Sequence, residues 1–518
     1  MTTKTTDFTD HFDLASERLG GAVIASNDDF FADKENLLKP HAAVWKEHEY
    51  TDRGKWMDGW ESRRKRITGD QPDAHDWALI RLGAPGVVRG VVVDTSFFRG
   101  NYPDACSIEA CAAPSDAFVD TLQGPSTAWT EILPRNKLEG NAKNAFAVVS
   151  SGAFTHLRLK IFPDGGVARL RVHGDVVPEW RRIGHARGEI DLAAVEHGGD
   201  VLLASDMFFG ERRNLIMPGR AVNMSDGWET RRRRGPGDDW AIVRLGATAE
   251  VSRIEVDTGH FKGNFPDTCT LEVCNAPDDV PAEELARDEA RWSVLLPQTK
   301  LQAHTRHRFE GELAAAGPAT HVRLRVYPDG GVSRLRVYGT LDDEQRRALA
   351  VRRLDALPII DARAELAACL ASARWVDAML LARPFRTPSR VLEAATGAWG
   401  LTNKDGWREA IAAHPRIGEK AAASGPEKAE VAKGWSKQEQ SGMASATAEQ
   451  RAAMAAGNAA YEVKHGFIYL ACATGKTAEE LLHIQKSRLD QTAEVEHRTV
   501  AEELGKIMTI RLEKLLQI

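Results

Sequence analysis

The chain has 518 residues, too many for a single hydrophobic core, so about three folding units are expected. Its 68 Lys and Arg against 74 Asp and Glu give a formal charge of -6, which excludes a global positive field for nucleic acid, and no apolar stretch approaches the length of a membrane span. Six cysteines without a C-x-x-C pair exclude a disulfide scaffold and a thiolate zinc site and point to a reducing compartment; with no signal-peptide pattern at the N-terminus, a cytoplasmic protein is expected.

In chain order, the first distinctive phrase is MDGWESRRKR at residues 57–66, and it returns as SDGWETRRRR at 225–234, an offset of 168 between Trp60 and Trp228. The match continues at an offset of 163 after five extra residues in the first copy, and Cys106 and Cys111 recur as Cys269 and Cys274. Each copy ends in alternating apolar residues (Leu157, Leu159, Ile161; Val322, Leu324, Val326) around a Pro-Asp-Gly-Gly turn, a pattern that predicts a β-hairpin. At about 150 residues a copy is far longer than a solenoid unit and closes its own core as an antiparallel sandwich. The expected domains are residues 1–185 and 186–342, two tandem all-β sandwiches, followed by an all-α domain at 343–518, where Ala, Glu, Leu, Lys and Arg replace glycine. Residues 420–434 read as a polar connection between helices, and Leu504, Ile507, Met508, Leu512 and Leu515 as the apolar face of a terminal helix.

A buried or rim tryptophan beside a solvated strand edge would explain either Asp-Gly-Trp-Glu copy alone; its ordered repetition argues for more. The phrase SDGWETRRRRGPGDDWAIVRLG, followed by VDTGHFKGNFPD, resembles allantoicase, and the similarity runs over roughly residues 14 to 340. The resemblance implies two jelly-roll sandwich domains and hydrolysis of allantoate to ureidoglycolate and urea. That substrate, a carboxylate flanked by two ureido groups, asks for a cationic fork, polar groups matched to amides, and an acid for the departing nitrogen. Arg231 and Arg232, with counterparts Arg63 and Arg64, suit the fork; Glu229 and Glu61 orient them or move protons, while Asp226 and Asp58, each before glycine, shape a turn. The loop TGHFKGN adds His260, Lys262 and Asn264, whereas the first copy has Phe97 and Arg99 in place of His260 and Lys262. The second repeat is therefore expected to carry the catalytic constellation, with Glu229 and His260 as its catalytic residues. No metal-ligand spacing is seen, which leaves a divalent metal open for this half.

Farther on, AAHPRIGEK (412–420), WSKQEQSGM (435–443) and NAAYEVKHGFIYLACATGKT (458–477) resemble the decarboxylase of 2-oxo-4-hydroxy-4-carboxy-5-ureidoimidazoline, abbreviated OHCU, over about residues 355 to 516. The resemblance implies (S)-allantoin as product, no cofactor, His414 as catalytic acid/base and Glu439 as its carboxylate partner. It also implies substrate contacts from Pro415, Ser436, Lys437, Gln438 and Gln440, with a pocket wall from Tyr469, Leu470, Ala471, Cys472 and Ala473. A neutral imidazole takes and returns a proton without a cofactor, and a carboxylate partner would fix its tautomer and raise its pKa. Either Lys476 or Arg488 is expected to anchor the substrate. His465 stands where the family commonly has Phe. The segment ATGKT ends like a phosphate-binding loop, but Leu470 sits where that pattern requires glycine.

The expected partners are small-molecule ureides and further copies of the chain, with no nucleic acid and no membrane. The rival readings keep the decarboxylase and make the β-half a tandem ligand-binding module or an oligomerisation scaffold without hydrolase activity.

Overall fold

A computed structural model describes residues 8–65, 73–150, 152–178, 188–277, 279–418, 435, 438–439, 441–443 and 446–517. The chain divides into two compact units, Met1–Gln345 and Arg346–Ile518. No described helix is long and apolar enough to cross a membrane.

The first unit holds two antiparallel β-domains with the same topology, each organised by one 19-residue strand, Asp76–Asp94 and Asp239–Asp257. The front of Asp76–Asp94 pairs with Ala22–Ser26 and Ala153–Phe162, and its rear half with Lys143–Ala147 and Arg169–Val176. One strand thus serves both layers of the sandwich. The alternating apolar residues expected to face the core do so: Leu157, Leu159, Ile161, Val322, Leu324 and Val326 are fully buried.

The expected hairpin around Pro-Asp-Gly-Gly is not formed. Ala153–Phe162 and Arg169–Val176 pair with different halves of Asp76–Asp94 and not with each other. The turn has its own partner, since Gly166–Val167 pairs with Trp60–Glu61. Gly165 lies at φ +137°, where a Cβ would meet the Asn101 carbonyl oxygen at 2.8 Å; Gly330 repeats this geometry beside Asn264. The glycines let the turn lie against the Asn101 and Asn264 loops.

The second unit is helical. Its elements include Pro388–Gly400, Lys404–Ala412, Ala448–His465, Ala478–Leu489 and Ala493–Leu515. Thr447 with Gln450, and Thr477 with Glu480, form capping boxes that start two of these helices. The threonine of ATGKT therefore caps a helix. Leu504, Ile507, Met508, Leu512 and Leu515 are buried along the last helix, as their spacing requires. The expected connection at 420–434 lies outside the described residues.

Candidate active sites

In both β-domains the Asp-Gly-Trp-Glu phrase is anchored inward. Trp60 and Trp228 are fully buried, and each indole N–H donates at 2.8 Å to a backbone carbonyl, of Asp28 and Asp206 respectively. Asp58 pairs with buried Arg169 at 2.7 Å and accepts the Val44 amide. Against the upward push of burial, Arg169 holds the Asp58 carboxyl below its ordinary range. Asp226 pairs with Arg334 at 3.0 Å and accepts the Val222 amide. It also receives Arg18 from the first repeat, which donates to Asn214 at 2.9 Å as well. These aspartates neutralise buried guanidinium groups, more than the turn-shaping role expected of them, because their partners lie over a hundred positions away.

Glu61 and Glu229 follow in short strands and are half-buried. Each accepts a side-chain amide, Glu61 from Asn101 at 2.7 Å and Glu229 from Asn264. Burial raises the Glu61 carboxyl above its usual value. Arg63 and Arg231 are 64% and 67% exposed, and their Nε atoms already donate to Asp28 and Asp206 at 2.6 and 2.9 Å. Both lie over phenyl rings, of Phe30 and Phe208. Arg64, Arg232 and Lys262 are exposed.

The repeats diverge at the next loop. His260 and Phe97 share a left-handed backbone, φ 68° and 70°, uncommon for residues other than glycine. In the second repeat the His260 amide donates to His304 Nδ1 at 2.7 Å, and its ring Nε2 lies 2.9 Å from the Ala221 carbonyl. In the first, the Phe97 amide donates to Asn141, and Phe97 stacks on Trp45 at 5.8 Å. A pair of imidazoles in one copy is thus matched by aromatic packing in the other.

The helical unit has a small pocket lined by His414, Pro415, Ile417, Glu439 and Arg511, with Tyr469, Leu470, Ala471 and Ala473 as its wall. His414 follows the helix Lys404–Ala412, and its Nδ1 lies 2.8 Å from the Ala410 carbonyl, one of those left open at a helix end. That contact makes Nδ1 the protonated nitrogen and leaves Nε2, buried without a partner, with a lone pair. Burial, then the Arg511 cation, push the ring's pKa down to about 4. Arg511 grips Glu439 bidentately, at 3.0 and 2.8 Å, with Lys514 at 3.7 Å. The pocket therefore sets a neutral imidazole among a buried cation, a carboxylate and an apolar wall.

The allantoicase repeat family matches residues 12–177 and 190–342, and the OHCU decarboxylase family matches 355–513. The chain belongs to the allantoicase family. Behind its two allantoicase repeats it carries an OHCU decarboxylase domain, and the combination is an enzyme of ureide catabolism. A probable allantoicase of Burkholderia mallei is 49% identical over 333 residues, covering 64% of this chain and 95% of the relative. One from Stutzerimonas stutzeri is 48% identical over 336 residues, covering 64% and 97%. The crystal structure of allantoicase from Saccharomyces cerevisiae is 35% identical, with a TM-score of 0.52 over 64% of this chain and 93% of that one.

Several expected residues of the decarboxylase domain gather at its pocket: His414, Pro415, Glu439, Tyr469, Leu470, Ala471 and Ala473. Cys472 is not part of that lining; it packs in the helical core, and its amide donates to Glu503 at 2.7 Å. Gln438 is exposed, and Ser436, Lys437 and Gln440 lie outside the described residues. Neither expected anchor lines the pocket. Lys476 donates to the Cys472 carbonyl, and Arg488 is buried against Glu496 and the Leu470 carbonyl. The cation that lines the pocket is Arg511, and its signal was an arginine four residues after Ile507 on the apolar face of the last helix. Glu439 does favour the protonated His414, as expected, but it neither sets the tautomer nor decides the pKa. Ala410 sets the tautomer, and burial with Arg511 outweighs the carboxylate. His465 behaves as the aromatic it replaces, with its ring 4.6 Å from Tyr461 and both nitrogens unpartnered. In the allantoicase repeats, Glu229 and Asn264 meet, as do Glu61 and Asn101, but Arg63 and Arg231 are tied to their aspartates.

Proposed function

We propose that decarboxylation of OHCU is carried by His414 acting from Nε2, with Arg511 holding the substrate's carboxylate side and Glu439 fixing Arg511. The observation that carries this is the unpartnered Nε2 of a neutral ring in the pocket that Arg511 and Glu439 share. The carbon–carboxylate bond breaks and CO2 leaves, and the electron pair moves into the ring, whose nitrogen takes up a proton from solvent, to give an enol. His414 Nε2 then takes the proton of the enol hydroxyl and returns it to the ureido-bearing carbon, producing (S)-allantoin. The apolar wall from Tyr469 to Ala473 keeps water from competing for that proton. His414→Ala and Glu439→Ala are each expected to abolish stereoselective allantoin formation, and full rate in either variant overturns the assignment.

For allantoate hydrolysis we place the working site in the second repeat. The His260–His304 pair supports this, since the first repeat has Phe97, Asn141 and Trp45 in the same surroundings. His260 would protonate the departing urea nitrogen and Glu229, oriented by Asn264, would activate water. Urea release from allantoate, measured with and without chelator, tests the activity and any need for a divalent metal; no group of three or more potential metal ligands occurs among the described residues. In this reading the chain acts in the cytoplasm on small ureides, without nucleic acid and as a homo-oligomer. Phe208 and Phe209, more than 60% exposed, supply apolar surface for self-association.

A further inference from the structure

The rear sheet of the second repeat has an outer face unlike that of the first. Ile254, Val256, Leu335 and Val337 point into the core and are fully buried. The alternate positions carry charges in register: Asp257 stands between Arg334 and Arg306, and Glu255 between Arg336 and Arg308. Where this face has Arg253, Glu255, Arg308 and Tyr338, the first repeat has Gly90, Val92, Ala145 and His173. The segment Met217–Arg220 and the residues Asp191 and Glu196 complete a pocket over the charged face.

Most of these charges are already answered. Glu255 takes Arg306 at 2.9 Å and Arg308 at 3.3 Å; Arg334 belongs to Asp226, and Arg253 to Glu189. Three groups lining the pocket keep an unanswered atom or charge. Arg336 is 9% exposed; its Nε lies 3.4 Å from Asp191 and its Nη2 donates to the Met217 and Gly219 carbonyls, but its Nη1 is buried without a hydrogen-bond partner. Glu196 Oε2 is likewise buried and unpartnered. Arg220 is exposed and has no ion-pair partner among the described residues. Arg171, the first-repeat counterpart of Arg336, likewise faces an aspartate, with its Nη1 3.5 Å from Asp13, but the residue aligned with Glu196 is Arg18, which has left to pair with Asp226.

An unmet guanidinium N–H and an unmet carboxylate oxygen in the lining of one pocket select for a ligand that is an anion at one end and an N–H donor at the other. Phosphate, mostly a dianion near neutral pH, would bring its extra negative charge against Glu196. A neutral sugar would leave the charge of Arg220 unanswered. A ureido acid satisfies both, with its carboxylate on arginine and its terminal NH2 on glutamate. The pocket also adjoins the proposed hydrolytic loop: Arg220 precedes Ala221, whose carbonyl contacts His260, and Asp257 caps the Gly259 amide at 2.8 Å.

We propose that this pocket binds the ureido acid on which the allantoicase repeats act, Arg336 and Arg220 holding the carboxylate and Glu196 the ureido N–H. The assignment rests on the reading that the second repeat is the hydrolytic one. The test is steady-state urea release from allantoate by the full chain, with calorimetric binding of ureidoglycolate. Arg220→Gln removes an exposed side chain and leaves the fold intact; Glu196→Gln and Arg336→Lys probe the inner groups. Arg220→Gln is expected to raise KM about tenfold with kcat within about twofold, and to weaken ureidoglycolate binding in parallel. Glu196→Gln should weaken ureidoglycolate binding without weakening that of acetate, which carries no ureido group. Unchanged KM and binding in both Arg220→Gln and Glu196→Gln, with an active parent, would overturn the pocket and leave the hydrolase reading standing. Competition by inorganic phosphate as strong as that by ureidoglycolate would overturn the ureido-acid assignment in favour of a general oxyanion site. A parent chain that neither releases urea nor binds either ureide would remove the hydrolase reading and this inference with it.

Discussion

Replacing Arg511 with Met should change the titration of His414 in a direction opposite to that produced by Glu439→Gln. In the native pocket burial, reinforced by the Arg511 cation, brings the ring from 6.5 to about 4, and a shift of that size corresponds to about 3 kcal/mol between protonation states. Because the unfolded chain takes up this proton near 6.5 and the folded one near 4, the contribution to stability is flat above the first value. It is lost progressively as pH falls between them and levels off below the second. Removing Arg511 leaves burial in place, takes away the repelling cation and leaves Glu439 with Lys514 alone at 3.7 Å, so the ring protonates at higher pH and the acid-side loss of stability shrinks. Glu439→Gln removes the attracting carboxylate and depresses the ring further. The loss of a buried partner costs about 3–5 kcal/mol, so the double variant Arg511→Met/Glu439→Gln is the folding control. The assay is the pH dependence of denaturant midpoints from pH 4 to 7, alongside the acid limb of kcat/KM for decarboxylation, whose position and not height is read. Movement of that limb in the same direction for both single variants, or in neither, would refute the electrostatic account of the pocket.

Three other outcomes follow from the geometry. His260→Phe installs the residue that the first repeat tolerates at the same left-handed backbone, so the fold should persist while urea release falls roughly a hundredfold or more; undiminished release in steady-state assays would remove His260 from the chemistry. Asp58→Ala strands Arg169, which is 1% exposed, and should destabilise the β-half by about 3–5 kcal/mol in denaturant melts, while a loss below about 1 kcal/mol would show that the pair is solvated. Arg488→Met breaks the buried contact with Glu496, so thermal stability should drop while the KM of the remaining folded decarboxylase stays within about threefold; a raised KM at native stability would restore Arg488 as a substrate anchor.

Periodicity made the architecture legible because it reports which face is buried: the alternation at Leu157, Leu159 and Ile161 and the helical stripe from Leu504 to Leu515 both describe real core faces. It does not report which strand sits alongside, so Pro-Asp-Gly-Gly looked like a hairpin although its two flanking strands join different halves of one long strand. The same limit applies at the sites. His414, Glu439 and the wall at 469–473 stood in contiguous motifs and could be read, whereas the charge pairs of Asp58 with Arg169 and Glu439 with Arg511 join residues 111 and 72 positions apart. Arg511 was nevertheless accessible, since an arginine on an apolar helix face must have a buried partner.

The link from Arg18 into Asp226 makes the duplication hard to reverse. Arg18 and Glu196 occupy matching corners, each just before a left-handed glycine-capped turn, yet one corner braces the neighbouring copy and the other keeps its carboxylate within its own. A chain built from two second copies would set a glutamate against Asp226, like charges where a bridge is needed, and one built from two first copies would lack the glutamate altogether. The order of the repeats has become part of the molecule's design, and neither half is a spare for the other.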